Sequence, residues 1–265
     1  MSDFLREVLE VKRAEVAELY RSGARGSHKR QALTMPLPPS FHDALRVPPR
    51  RFAVIGEIKR ASPSAGDIRP DLDAGERAKL YESLGLAAVS VLTDEHWFKG
   101  RPEDMLAAAQ ATTRPVLCKD FIIDPVQIER ARAYGASAVL LICALLDDDA
   151  LRTLIRTARR LSLDPLVEVH DSRELSRALD VDARIIGVNA RDLRTLEVDL
   201  NVPRRLVHRL PEWTIKIAES GLRDHDTLVE LSEAGFDAFL IGEYLSSADD
   251  PASAVDALMG EDLAD

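Results

Sequence analysis

The sequence predicts an α/β fold built of eight repeated units, a (β/α)8 barrel, preceded by an N-terminal helical extension. Three observations carry this reading. From about residue 51 onward, short apolar runs rich in β-branched residues alternate with helical patterns, the mark of βα units and a parallel sheet. There are eight such runs, and residues near their C-terminal ends (Glu57, Ser90, Lys119, Leu141, Glu168, Asn189, Glu219 and Gly242) lie 21 to 33 residues apart. Several units also share a local theme. "LGLAAVSVL", "YGASAVLLI" and "AGFDAFLIG" each pass from a helix end through Gly85, Gly135 or Gly235 into small residues and an apolar strand. This weak repeat fits a cyclic array. A doubly wound open sheet is the alternative, but no G-x-G-x-x-G or Walker pattern follows the first run. The expected organisation is one domain over residues 1–265, with the extension at 1–50 and the barrel at 51–265.

Taken in order, residues 4–20 carry Phe4, Leu5, Val8, Leu9 and Val16 at helical spacing. A polar, basic stretch, "RSGARGSHKR", follows without an assigned element. Residues 34–50 are rich in proline and hold one short helical pattern, "SFHDALRV", with Ser40 as its N-cap. The eight runs are "RFAVIGEI" (51–58), "AAVSVLT" (87–93), "RPVLCKDF" (114–121), "SAVLLICA" (137–144), "DPLVEVH" (164–170), "ARIIGVN" (183–189), "WTIKIAES" (213–220) and "DAFLIGEY" (237–244). Helical patterns lie between them. "DPVQIERARAYG" has an Asp-Pro start and a Gly stop.

The bulk numbers bound the partners. A chain of 265 residues supports a sizeable core, and 46% hydrophobic with 30% charged residues is an ordinary soluble composition. The net charge of −10 argues against nucleic acid and anionic membranes as partners. Any anionic ligand must therefore be held by a local group of cations. Cys118 and Cys143 each sit inside an apolar run and read as buried, reduced thiols. No apolar run reaches the length of a membrane span, and "MSDFLREVLEVKRAEV" is charged throughout, unlike a secretory signal. A cytoplasmic monomer is the expectation.

Polar residues recur at one end of the runs. Side chains alternate along a strand, so Glu57 and Lys59 share a face while Ile58 takes the other. Lys119, Glu168, Asn189 with Arg191, and Glu219 also stand at C-terminal ends. On the helix-facing side such charges would be buried unpaired, at high cost. They must point inward, where strand ends converge on the mouth in which barrel active sites are built. "ESGLR" and "IGEYL" close the seventh and eighth runs, and Gly221 and Gly242 leave backbone N–H groups approachable. These loops are the recurrent phosphate site of this fold. Singly, each residue has a plainer reading as a rim charge, a structural ion pair or a turn glycine. Their joint placement at successive strand ends favours a site. His96 and His170 show no metal-ligand spacing and read as incidental.

At this point the sequence resembles the indole-3-glycerol-phosphate synthase family, a TIM barrel group of tryptophan biosynthesis. The likeness runs from about residue 40 to 247. It rests on "EIKRASPSAGDI", "LCKDFIIDPVQI", "LVEVH", "GVNARDLRTLEVDL" and "AESG", in that order, with "SVLTDEHWFKG" after the second strand. The resemblance implies that Lys119 is the general acid and Glu168 the general base. It makes Glu57 and Lys59 the first-strand pair, and Asn189, Arg191, Glu219 and Ser220 further polar site residues. Ser62, Gly221 and Gly242 would contact the substrate phosphate, and Phe98 or Trp97 would cover its aromatic ring. The implied reaction is ring closure of 1-(2-carboxyphenylamino)-1-deoxyribulose 5-phosphate with loss of CO2 and water, without metal or organic cofactor. Two positions depart from the pattern. Ala65 stands where a long polar residue is frequent. Glu243 stands where many members have Ser, and its carboxylate would repel a phosphate if it faced one.

Two other functions compete. A related phosphate-binding barrel such as phosphoribosylanthranilate isomerase is expected to use a Cys and Asp pair, where this chain has Glu57 and Lys119. A barrel that binds a sugar phosphate without catalysis would be expected to lack one or more of Lys119, Glu168 and Asn189. All three are present.

Overall fold

The computed structural model describes residues 3–260. Its centre is a closed barrel of eight parallel strands: β1 (Ala53–Ile58), β2 (Ala88–Leu92), β3 (Val116–Lys119), β4 (Ala138–Ile142), β5 (Asp164–Val169), β6 (Ile185–Asn189), β7 (Ile215–Glu219) and β8 (Ala238–Ile241). Each strand pairs with its neighbours in sequence. The ring closes through β8 on β1, from Ala53 opposite Ala238 to Gly56 opposite Ile241, so the sheet has no free edge. All eight strands lie within the expected runs and are shorter than them. The fourth run ends early because Cys143–Leu145 turns into a 3-10 helix.

Both faces of the strands are buried, inward residues filling the barrel and outward ones packing on helices. Much of the acidic excess has a structural use. Asp73, Asp94, Asp124, Asp147, Asp171, Asp224 and Asp250 each cap a helix by accepting a backbone N–H. Such a cap is worth about 1 kcal/mol and also complements the helix dipole. At the other ends, Gly85, Gly135 and Gly235 adopt positive φ of 76°, 92° and 112° and turn each helix back into the next strand.

The extension forms three helices, α1 (Asp3–Arg21), α2 (Ala24–Thr34) and α3 (Phe41–Arg46). The sequence pattern does not announce α2, because its residues are polar nearly all round. It is held by tertiary contacts instead. Gln31 Nε2 donates to the Ala133 carbonyl at 3.0 Å, and the His28 and Tyr134 rings meet edge to face. Ser40 caps α3 as expected, accepting from Asp43 N at 3.0 Å. The first two backbone N–H groups of α3 donate to Asp164 Oδ2 at the start of β5, and Phe41 is fully buried there.

α1 is fastened at the opposite end of the barrel. Lys12 is 1% exposed, its Nζ 2.6 Å from Asp94 Oδ2, 2.8 Å from Asp120 Oδ1 and 3.0 Å from Glu15 Oε2. Asp94 and Asp120 follow β2 and β3, so this one ammonium joins α1 to two loops of the mouth. Asp120 also accepts from Thr93 Oγ1 at 2.9 Å. Replacing Lys12 by Met removes the ammonium from two buried carboxylates and leaves Asp120 only the more distant Arg130, at 3.5 Å. The expected loss is about 3–5 kcal/mol, read as a lower urea midpoint at unchanged slope. A loss within the range of an exposed pair, below about 1 kcal/mol, would show that the contact does not anchor the helix.

Candidate active site

The C-terminal ends of the strands surround a cavity of about 310 Å³. Its apolar part comes from Leu92, Leu140, Ile142, Leu240 and Ile241. Of the residues that the sequence placed at the mouth, all but Trp97 line this same space: Glu57 on β1 with Lys59 and Ser62 after it, Phe98 after β2, Lys119 on β3, Glu168 on β5, Asn189 and Arg191 at β6, Glu219, Ser220 and Gly221 at β7, and Gly242 after β8.

Lys119 is the hub. Its Nζ lies 2.5 Å from Glu219 Oε2 and 3.2 Å from Glu168 Oε2. Both carboxylates are almost wholly buried, at 1% and 2% side-chain exposure. Burial disfavours the Lys119 ammonium, but Glu219, Glu168 and Glu57 together outweigh it and raise its pKa above the ordinary lysine value. The two carboxyls separate. Burial pushes both up, yet Lys119, His170 and Asn189 bring Glu168 well below the usual range, while Glu219 is left raised to about 7. Glu219 Oε1 has no hydrogen-bond partner among the described residues. Its room is made by Gly187 on β6, where a Cβ would overlap that oxygen.

Glu57 and Lys59 form the second polar group, Oε1 to Nζ 3.1 Å. Here too a glycine makes the space, since a Cβ on Gly242 would overlap Glu57 Oε1 and crowd Lys59 Nζ. The Glu57 carbonyl accepts from Tyr81 and Ser246 hydroxyls at 3.2 and 3.0 Å, which fixes the strand end beneath the pair.

A third region joins the loops after β1, β6, β7 and β8. Ser62 Oγ accepts from Ala65 N at 3.1 Å within a small hairpin, Ala61–Ser62 against Gly66–Asp67. Ser220 has φ of 69°, a backbone state uncommon for a residue with a side chain and recurrent at functional loops. Arg191 donates to the Leu196 carbonyl at 2.8 Å. Glu243 does line the cavity, but its carboxylate is engaged, 3.1 Å from Arg223 Nη2 and 3.6 Å from Arg191 Nη2. The repulsion expected from sequence is offset by two guanidinium groups.

A family model described as indole-3-glycerol phosphate synthase matches residues 5–258 of this chain. The chain belongs to that family. Its similarity to indole-3-glycerol phosphate synthase of Mycolicibacterium gilvum is 45% identity, covering 95% of this chain and 92% of the relative. For the Exiguobacterium sibiricum protein of the same name it is 43%, covering 97% of both chains. Among solved structures, 3-hexulose-6-phosphate synthase from Salmonella typhimurium superposes with a TM-score of 0.62 at 12% identity, over 78% of this chain and 97% of that one. A thiamine phosphate pyrophosphorylase from Pyrococcus furiosus gives 0.58 at 17%, over 77% and 92%. These two likenesses show the fold alone. No helix among the described residues is long and apolar enough to cross a membrane.

Sequence reasoning missed four residues. His170, read as incidental, stands 3.3 Å from Glu168 Oε1 and 3.0 Å from Glu174 Oε2. The signal was its period-two relation to Glu168, which puts both on one face. Lys12 continues the buried face of Leu5, Val8 and Leu9 at helical spacing, and a lysine there needs partners. Phe4 and Phe121 line the cavity, and nothing in the pattern of the chain pairs them. Of the two aromatic candidates, Phe98 lines the cavity. Trp97 is not in the lining and packs instead against Phe4 and Phe121, with ring centroids at 5.8 and 5.6 Å. Cys118 and Cys143 are buried free thiols, their pKa values pushed up to about 12 chiefly by burial.

The split between the two carboxyls is measurable. Side-chain carboxyl NMR is expected to show Glu219 titrating at about 7, with Glu168 ionised throughout the neutral range. Lys119→Met removes the cation that favours both charged forms, so both pKa values should rise. No movement of Glu219 in that variant would show that the ammonium does not govern it.

Proposed function

We propose that this chain closes the ring of 1-(2-carboxyphenylamino)-1-deoxyribulose 5-phosphate, with loss of CO2 and water, to form indole-3-glycerol phosphate in tryptophan biosynthesis. The observation that carries the reading is the Lys119 ammonium held between two buried carboxyls at the foot of the mouth. Family membership supports the same reaction. The substrate is anionic at both ends, and the mouth offers Lys59, Arg191 and Arg223 on an otherwise acidic protein.

In the first step the ring carbon that bears the carboxylate attacks the ketone carbon, and Lys119 donates a proton to the ketone oxygen. The carboxylate then departs as CO2, its bonding electrons restoring the aromatic ring. Apolar walls from Leu140, Ile142 and Leu240 desolvate that group. Dehydration completes the reaction. Glu168 takes a proton from the carbon beside the new hydroxyl, and a lysine ammonium, Lys59 or Lys119, protonates the hydroxyl as it leaves. Glu57 holds Lys59, Asn189 steadies Glu168, and Glu219 holds Lys119. Ser62, Gly221 and Gly242 bind the phosphate, Arg191 and Ser220 contact the substrate, and Phe98 covers the anthranilate ring. Each step is a proton transfer or a charge contact supplied by these side chains, so the reading calls for no metal or organic cofactor. We place the reaction in the cytoplasm, carried out by a single-domain monomer.

The test is direct. Purified protein incubated with the carboxyphenylamino-deoxyribulose phosphate should develop indole fluorescence. Lys119→Ala should retain the fold by circular dichroism and lose turnover by roughly 10²–10⁴ or more, the usual worth of a positioned acid. Tight binding of the substrate without an indole signal would favour the non-catalytic barrel. Near-normal turnover by Lys119→Ala would overturn the assignment of the acid.

A further inference from the structure

Glu168 and Glu219 flank the same ammonium, are equally buried and carry the same functional group. Their second oxygens differ. Glu168 offers Oε2 to Lys119 and Oε1 to His170 Nε2, at 3.2 and 3.3 Å. Glu219 offers Oε2 to Lys119, and its Oε1 meets no hydrogen-bond partner among the described residues. Both oxygens of Glu168 therefore face a cation or potential cation, and only one oxygen of Glu219 does.

The His170 ring is itself fixed. Glu174 Oε2 receives both the His170 backbone N–H at 2.8 Å and ring Nδ1 at 3.0 Å. Glu174 lies on the helix Ser172–Asp180, directly after β5. With Nδ1 committed to Glu174, Nε2 is aimed at the Glu168 side. Its approach is a charge contact, because the N–H is not aligned on the oxygen as a hydrogen bond.

We infer that Glu174 and His170 form a backing pair that makes Glu168, and not Glu219, the base of the reaction, with His170 as a positioning residue. This rests on the reaction proposed above. His170 is not itself part of the cavity lining; it acts through Glu168, which is.

Charge around the ring supports this. On its own strand His170 faces Glu168, and on the next helix Glu174. From the loop after β6 it feels Asp192, whose carboxylate is already paired with Arg194 at 2.6 Å. At the end of β4 the Cys143 thiol stays neutral. Lys119 lies beyond Glu168. Burial works against the imidazolium, but Glu168 and Glu174 outweigh it and raise its pKa to about 10. A cation fixed there across the neutral range keeps negative charge on Glu168, and the proton the two carboxyls compete for resides on Glu219.

The test uses the full chain with His170→Gln, which keeps bulk and hydrogen bonding but not charge, and His170→Leu, which removes both. kcat and KM are measured from pH 5.5 to 9 with the carboxyphenylamino-deoxyribulose phosphate. Without the cation Glu168 loses its advantage over Glu219 for the negative charge and its pKa rises, so an acid limb of kcat that lies below this range in the wild type should move up into it. The deficit should be greatest at the acid end and shrink toward pH 9, with KM within about twofold in both variants. Glu174→Gln should move the limb in the same direction. A loss independent of pH, no loss, or rescue of the profile by His170→Gln would overturn the inference, since packing alone would then explain the residue. Carboxyl NMR of Glu168 in His170→Gln gives a readout without turnover. A raised Glu168 pKa there upholds the backing pair even if the substrate proves wrong, and an unmoved one refutes it even if the wild type is active.

Discussion

A protonated lysine held by two carboxyls inside a barrel is the constraint on which the rest of the mouth depends. Taking such charges out of water is costly, and the cost is met only if every oxygen and proton is placed well. That requirement reaches outward in layers. Glycine at 187 admits the Glu219 carboxyl, and glycine at 242 admits the neighbouring Glu57–Lys59 pair. His170 and Glu174 complete Glu168 on the side away from Lys119. The apolar floor then does double duty, forming the core of the barrel below and the water-poor surface against which the charges act above.

The parallel arrangement of eight units explains why so little sequence is needed to build this. β1, β3, β5, β6 and β7 each contribute a polar residue at or next to the C-terminal end, and closure of the ring brings ends from distant parts of the chain together. Each following helix begins near the same rim, often with an aspartate cap. The mouth is thereby framed by acidic caps while its cavity carries lysine and arginine. An anionic substrate is drawn to the centre by local cations despite the acidity of the whole.

How much of this was legible depended on whether a residue's role is local. The strands could be read because a buried parallel strand is a nearly unbroken apolar run, and the polar interruptions at Glu57, Lys119, Glu168, Asn189 and Glu219 stood out against it. α2 could not, because its stability comes from Gln31, His28 and the helix it packs on, with no apolar face of its own. Phe4 and Phe121 meet only when α1 crosses the mouth. The ring contact of His170 with Glu168 is local in sequence, but its meaning needs Lys119 and the bare oxygen of Glu219, which come from β3 and β7. Glu243 left open in sequence whether its carboxylate faces the cavity, because the partners that engage it, Arg191 and Arg223, lie in other loops.

The Lys12 contact also carries a consequence for how the chain reaches this state. Its anchors, Asp94 and Asp120, belong to the loops after the second and third strands, so the Lys12 ammonium of α1, which precedes them in the chain, has no partners there until those loops exist. Until then the ammonium is best left in water, and α1 has only its own narrow apolar stripe to bury. Ring closure by β8 on β1 lies elsewhere on the barrel. The extension therefore ties together the ends of β2 and β3, independently of the closing seam. What looks like an appendage is a clasp on the early half of the barrel.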